Sequence, residues 1–290
     1  MKLFKYILFS LLLIVSSVGY GQNQVITPAP LGRFALSFDG VDECTNIDQA
    51  LTVLSSTTHG TWSIWAKPTN IGAGSQDIVA FGDLDGISDF ALSFLIDGKL
   101  DITLRINGTS QWRLRTDASV ASNGVGIYLS IVQNGTAVVL YVDGSAPAQT
   151  FTVTTDKTQW FNNGSSYFDT GRIGCINFNN NGDIVFFIGI LDEVSLWNTN
   201  LSLIEIQEIY NNNKPTNLRT HSRYANLVAW YQMGEFSSYD GTNWNIIDAS
   251  VNDNPGVTVN MEESDRVIST LIYEQPIGML RVGRNLITSP

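Results

Sequence analysis

Turn signals set the pattern of this chain. In DFALSFLIDGKLDITLRI, residues 89–106, two strand-like runs meet at Asp97-Gly98. In GIYLSIVQNGTAVVLYVDGSAPAQTFTV, residues 126–153, three runs turn at Asn134-Gly135 and Asp143-Gly144. Asn-Gly and Asp-Gly supply the positive φ that tight hairpins require. GRFALSFDG, residues 32–40, puts Phe34, Leu36 and Phe38 on one face, the period of a half-buried strand. GTWSIWAKP, residues 60–68, repeats the pattern with Trp62, Ile64 and Ala66 and sets Trp65 opposite. Short strands at this spacing predict an antiparallel meander in the middle of the chain and a sandwich or barrel overall.

One segment differs. FFIGILDEVSLWN, residues 186–198, has a long apolar run and reads as a central strand buried on both faces, with Asp192 and Glu193 inside it. A helix is expected straight after it. Ser202 and Glu205 form a capping box, and Leu203, Ile206, Ile209 and Tyr210 make an apolar face. Asn211 to Asn213 and Pro215 stop it. Such a helix is expected on the sandwich edge.

The chain opens with MKLFKYILFSLLLIVSSVGYG, which reads as a secretory signal over residues 1–21. Lys2 and Lys5 give the positive start, Ile7 to Val18 the apolar stretch and Gly19-Tyr20-Gly21 the small residues at the cleavage site. The apolar run is shorter than the roughly 20 residues of a spanning helix. No membrane span is expected, and the chain is expected to be secreted or held at the cell surface. Residues 22–31, with two prolines, read as a flexible leader. Cleavage leaves 14 Lys and Arg against 27 Asp and Glu, a net charge of −13. Phosphate recognition needs clustered cations, which argues against nucleic acid as a partner. Calcium or neutral ligands fit this balance. An exported compartment permits a disulfide between the two cysteines, Cys44 and Cys175; two separate buried thiols are the alternative.

Four stretches resemble a known family, the laminin-G-like jelly roll of the concanavalin A-like lectin and glucanase superfamily. They are ALSFDGVDE (35–43), GTWSIWAKP (60–68), VLYVDG (139–144) and GRIGCINFNNNGDIVFFIGILDEVSLWNTNLSLIEI (171–206). The resemblance implies an all-β, concanavalin A-like jelly-roll β-sandwich of two antiparallel sheets with one short C-terminal helix, over residues 32–213. NLVAWYQMGEFSSYDGTNWNIIDASVNDNPGV, residues 226–257, resembles the segment that usually opens such a domain. Residues 214–290 are therefore expected either to pack on the sandwich or to start an incomplete repeat. The first is favoured, because so short a piece would struggle to build its own core.

The resemblance also implies a structural calcium ion where the first and last strands meet. By motif its ligands are Asp39, the carbonyl of Gly40, and Asp192. Calcium takes six to eight hard oxygens, and an acid in an apolar strand needs a compensating charge. The alternative is an Asp192 that accepts backbone N–H bonds without metal. Glu193 alternates to the other face and is expected in solvent. GDLDGISD, with Asp83, Asp85 and Asp89, is half of a calcium loop but lacks the further acids, so it reads as an acidic turn.

For function, the E-x-D-x-x-E pair of laminarinase-type hydrolases is missing. Its nearest approach, Glu263 to Ile268, ends in Ile268. His59 and His221 read as turn residues, so no enzyme is expected. A glycan or surface polysaccharide is the expected ligand, and a protein-binding adhesion or structural role is the alternative. Trp112 and Trp160 sit among Gln, Arg and Asn, as sugar-stacking rings would. With Asn162 and Asn163 they are the expected ligand contacts, although a place at the rim of the core suits either ring.

Overall fold

A computed structural model describes residues 34–271. The signal segment and the leader lie outside the described residues. The chain runs through β1 (Phe34–Asp39), β2 (Cys44–Asn46), a single turn α1 (Leu51–Leu54), β3 (Gly60–Pro68) and β4 (Gln76–Gly82). Then follow β5 (Asp89–Phe94), β6 (Leu100–Ile106), β7 (Thr109–Thr116), β8 (Ile127–Gln133), β9 (Val138–Val142) and β10 (Gln149–Thr154). A second turn α2 (Phe161–Gly164) leads to β11 (Thr170–Ile173), β12 (Ile176–Asn177), β13 (Asp183–Ile184) and the long β14 (Ile188–Trp197). Helix α3 (Leu203–Tyr210) precedes β15 (Leu227–Tyr231), β16 (Ser238–Tyr239), β17 (Trp244–Ile246), β18 (Gly256–Val259) and β19 (Arg266–Ile268).

Two antiparallel sheets form. The seven-stranded sheet runs β19-β1-β14-β3-β8-β9, with β15 also on β14. The ten-stranded sheet runs β10-β7-β6-β5-β4-β11-β2-β18-β17-β16. The inward side chains of both meet in one core, which includes Leu36, Phe38, Trp62, Ile64, Phe81, Phe90, Leu92, Ile102, Trp112 and Leu191. Residues beyond 213 belong to that core too: Val228, Tyr231, Met233, Trp244, Ile246 and Met261. Their strands pair directly with earlier ones, β15 with β14, β18 with β2 and β19 with β1.

The meander is real from β4 to β7, but the chain changes sheets elsewhere. The turn at Asp143-Gly144 closes locally, with the Val142 N–H donating to the Ser145 carbonyl at 2.8 Å. Yet β9 is the edge of one sheet and β10 the edge of the other. Gln149 substitutes for the missing strand partner. Its Oε1 accepts the Leu140 N–H at 2.8 Å and its Nε2 donates to the Leu140 carbonyl at 3.0 Å.

Helix α3 starts as the capping box dictates, with the Ser202 N–H donating to Glu205 Oε2 at 2.7 Å. It stops at Asn211, which takes the left-handed conformation. It does not sit at the sandwich edge. Ile206 and Ile209 join Trp65, Tyr128, Trp197 and Trp230 in a second apolar cluster on the outer face of the seven-stranded sheet. Tyr210 stacks on Trp65, with centroids 6.0 Å apart and planes at 22°. β3 carries large rings on both faces, so both faces need cover, and the helix supplies the outer one.

Cys44 and Cys175 are bonded, with Cα atoms 5.7 Å apart. Strands β2 and β11 pair through Thr45–Ile173 and Asn46–Arg172, which brings the two cysteines together just beyond the ladder. The bridge closes a loop of 131 residues in sequence, and closing a long loop restricts the unfolded chain strongly. The double variant Cys44→Ser/Cys175→Ser is expected to lose about 2–4 kcal/mol of unfolding free energy. Guanidinium titrations of the two proteins, under oxidising conditions, measure the difference.

Candidate functional site

With α3 on the outer face of the seven-stranded sheet, solvent reaches the outer face of the ten-stranded sheet at β6, β7 and β10, while the outward residues of β4 and β5 are buried. Strand alternation fills this face with polar residues, because Phe90, Leu92, Phe94, Ile102, Leu104, Trp112 and Leu114 all point inward. Three cross-strand rows result. Asp77, Ser93, Asp101 and Arg115 form the first. Ala80, Ala91, Thr103 and Arg113 form the second. Gly82, Asp89, Arg105 and Ser110 form the third.

These rows are tied together by charge. Asp101 accepts Arg113 Nε on both oxygens, at 2.9 Å each, and Arg115 Nε at 3.0 Å. Arg105 Nε donates to Asp89 at 2.5 Å. Ser93 donates to Asp77 at 2.5 Å. Burial, reinforced by the negative charge of Asp89 and Asp101, pushes the Asp77 carboxyl up to about 7 despite the Ser93 bond. Burial likewise raises Asp89, against the pull of Arg105 and Arg113. The Arg113 guanidinium is held further in its charged form, chiefly by its bond to Asp101.

A hairpin walls one side of this face. β12 and β13 place Ile176, Phe178, Ile184 and Val185 over the small side chains Ala80 and Ala91. The Val185 carbonyl accepts the Asp77 N–H at 3.0 Å. The Arg105 guanidinium lies 5.5 Å from the Phe178 ring centroid. Below the hairpin, buried Arg172 bonds Asp183 through Nε at 2.9 Å and Asp48 through Nη1 at 2.6 Å. The disulfide holds the start of the same segment.

The expected ligand residues lie elsewhere. Trp112 and Trp160 are core residues, 0% and 1% exposed. Trp112 Nε1 donates to the Gln159 carbonyl at 3.0 Å, and its ring meets Phe90 edge-on at 5.5 Å. Trp160 packs on Phe90 at 4.7 Å. Polar neighbours surround Trp112 because alternate residues of its strand face outward, and Trp160 because it lies at the polar turn that opens α2. Asn163 caps α2, accepting the Trp160 N–H at 3.1 Å, and Asn162 is half-buried beside it, its N–H on the Thr57 carbonyl. All seven tryptophans are at most 3% exposed, so none can offer a flat ring to a sugar.

The expected calcium ligands do not converge. Asp39 pairs with Ile188, whereas Asp192 lies past Leu191, four residues further along β14. At about 3.4 Å per residue this separates them by roughly 14 Å, too far for one ion. Exposed Asp39 accepts the Val41 N–H at 2.7 Å around Gly40, whose φ is +80°. Asp192 is fully buried, and its Oδ1 accepts the Glu193 N–H at 2.8 Å while its Oδ2 accepts Ser269 Oγ at 3.0 Å. Glu193 is not in solvent either. A bulge gives it a φ of +49° and breaks the alternation, and its Oε2 accepts Trp230 Nε1 at 2.6 Å. Asp83 and Asp85 cluster with Asp169 rather than with Asp89. Glu263 sits exposed in a short turn before β19.

The row Asp77–Ser93–Asp101–Arg115 was missed in the sequence, although a signal existed. Asp89, Asp101, Arg105, Arg113 and Arg115 occupy alternate positions of neighbouring hairpin strands in a chain with only 15% charged residues. Two expectations follow from the placements. Trp160→Ala is expected to cost about 3–5 kcal/mol of stability, as loss of a core ring does, read by denaturant unfolding. The second concerns pH. Asp77 keeps its proton up to about pH 7 when folded and loses it near pH 4 when unfolded. Between those values the folded state binds more protons, so this group makes stability fall as pH rises. Asp77→Asn is therefore expected to gain stability relative to the wild type from pH 5 to pH 7 and then level off, with a slope of at most about 1.4 kcal/mol per pH unit, in paired urea titrations.

The architecture has relatives among solved structures. The CBM40 module of the Ruminococcus gnavus IT-sialidase, solved with α2,3-sialyllactose, matches with a TM-score of 0.50 at 15% identity, over 59% of this chain and 94% of that one. A candidate carbohydrate-binding protein of Bacteroides ovatus matches at 0.53 and 14% identity, over 80% and 59%. The leech intramolecular trans-sialidase matches at 0.51 and 17% identity, over 83% and 38%. At these identities the likeness is one of fold. Comparison with curated protein sequences finds no match. A family model of the concanavalin A-like lectin/glucanases superfamily matches residues 39–207, more than half of the chain. The chain belongs to the concanavalin A-like lectin/glucanases superfamily.

Proposed function

We propose that this chain is an exported, non-catalytic glycan-binding protein whose ligand lies on the outer face of the ten-stranded sheet. One observation carries the reading. The face around β6 and β7 is open and polar, and its side chains are already fixed by cross-strand bonds. Sugar hydroxyls need donors and acceptors at set positions, and groups fixed before binding lose little entropy when the ligand arrives. Thr103 lies at the middle of the face, and exposed Thr150 and Thr152 of β10 extend it beyond Arg115. Phe178 offers an apolar flank beside Arg105.

The fold supports the reading without deciding it, since one jelly roll serves many tasks. Export rests on the signal-like residues 1–21; among the described residues no helix is long and apolar enough to cross a membrane. The buried acids Asp192 and Glu193 bond protein groups within the seven-stranded sheet, as structural residues do.

Immobilised glycans and polysaccharides, probed with the purified chain, test the reading. Saturable binding is expected. Thr103→Trp, which fills the middle of the face, should remove most of it. Ile204→Ala, on the exposed side of α3, should leave it unchanged. Failure to bind any glycan would sink the proposal and favour a protein-binding adhesin.

A further inference from the structure

We infer that the glycan is anionic, and that its carboxylate or sulfate group is held by Arg113 and Arg115. This rests on the glycan-binding reading and names the chemical class of its ligand.

The arginines exceed what the fold needs. Asp101 is almost completely buried, and one bidentate arginine would satisfy it. Arg113 already bonds both of its oxygens, yet Arg115 bonds it as well. A third guanidinium, Arg105, stands on Asp89 one row away. Three guanidinium groups thus face two paired carboxylates, Asp89 and Asp101. The third acid, Asp77, retains its proton up to about pH 7. On β7 itself two guanidinium groups share the single carboxylate of Asp101.

The geometry also leaves donors for a ligand. Each guanidinium carries five N–H groups in a flat fork. Arg115 spends its Nε on Asp101, and Arg113 spends its Nε and Nη2 edge. The side chains remain 34% and 41% exposed, so the rest of each fork reaches solvent. Arg113 and Arg115 are two residues apart on β7 and project from the same face. Asp101 anchors both from below, which fixes their rotamers before any ligand arrives. A carboxylate or sulfate can accept from both forks, and charge-assisted bonds of this kind are the strong ones. Thr103 and Thr150 lie beside the pair to meet hydroxyls, with Phe178 across the face.

The test pairs neutral with acidic polysaccharides: a β-glucan, polygalacturonate and a sulfated galactan, each titrated against the full exported chain. Binding to an acidic polymer over the glucan is expected, weakening with added salt. Preference for polygalacturonate identifies a carboxylate site, and preference for the galactan a sulfate site. Arg115→Lys keeps the charge and the partner of Asp101 but removes the fork. It should lose about ten- to hundredfold in affinity for the acidic polymer while the melting temperature holds. Arg219→Ala, far along the chain near Ala249, should change nothing. Binding to the neutral glucan alone, or equal affinity in Arg115→Lys, would overturn the anionic ligand and leave the glycan-binding reading standing. No binding to any of the three polymers, together with a glycan panel that also fails, would remove both.

Discussion

Strand β14 has to serve three neighbours, and the two acids at its centre make this possible. Along one edge it pairs with β3 from end to end. Along the other it pairs first with β1, through Leu191, and then with β15, from Val194. Two strands laid end to end on one edge leave a gap between them, and backbone polar groups in a gap need partners. Asp192 and Glu193 fall in it. Asp192 takes the N–H of Glu193 on one oxygen and Ser269 on the other. Glu193 takes the indole N–H of Trp230 on β15. Burial, with Glu193 and Glu235 close by, holds Asp192 well above the usual carboxylate range. The pair that invited a metal reading is therefore the junction of the seven-stranded sheet.

The consequences reach the other side of the molecule. Because β15 enters at this junction, residues after α3 can return to the sandwich. They add β16, β17 and β18 to the ten-stranded sheet and β19 to the seven-stranded one. Helix α3 and the segment behind it then cover the outer face of the seven-stranded sheet. On the outer face of the ten-stranded sheet the β12–β13 hairpin buries the residues of β4 and β5, and β6, β7 and β10 stay accessible. The hairpin is secured by covalent, ionic and apolar contacts at once: the disulfide, Arg172 with Asp183, and its side chains on Ala80 and Ala91.

Much of this fold was legible in the chain. The alternation in β1 and β3, the turns at Asp97-Gly98 and Asn134-Gly135, the central character of β14 and the capping box of α3 all depend on neighbouring residues, and local chemistry fixes them. What escaped depends on distant partners. Asp143-Gly144 specifies a reversal but not the sheet that the next strand joins. Asp39 and Asp192 lie at similar points of their motifs, yet the β1–β14 register sets them four residues apart. Glu193 follows strand alternation in the sequence and leaves it at a bulge that only the meeting of β1 and β15 requires. The covering of Trp65 by α3 likewise depended on which sheet face the helix would find vacant.

The tryptophans show why the candidate site was the hardest part to read. A strand with one face in the core and one in solvent places a polar residue on each side of every inward ring. Gln111 and Arg113 around Trp112 are therefore what a core tryptophan on such a strand should have. The same neighbours, taken as recognition groups around an exposed ring, suggest a sugar platform. Two sheets about 10 Å apart need large side chains to fill the space between them, and this chain spends every one of its tryptophans in buried positions. The polar groups are then the residues between the rings. Arg113 and Arg115 flank the inward Leu114, and Asp101, Thr103 and Arg105 alternate with Ile102 and Leu104. The same alternation that builds the core thus lays the polar groups in rows across adjacent strands, where opposite charges lock each other in place. A face assembled this way is ordered by the sheet itself, with the β12–β13 hairpin as its wall.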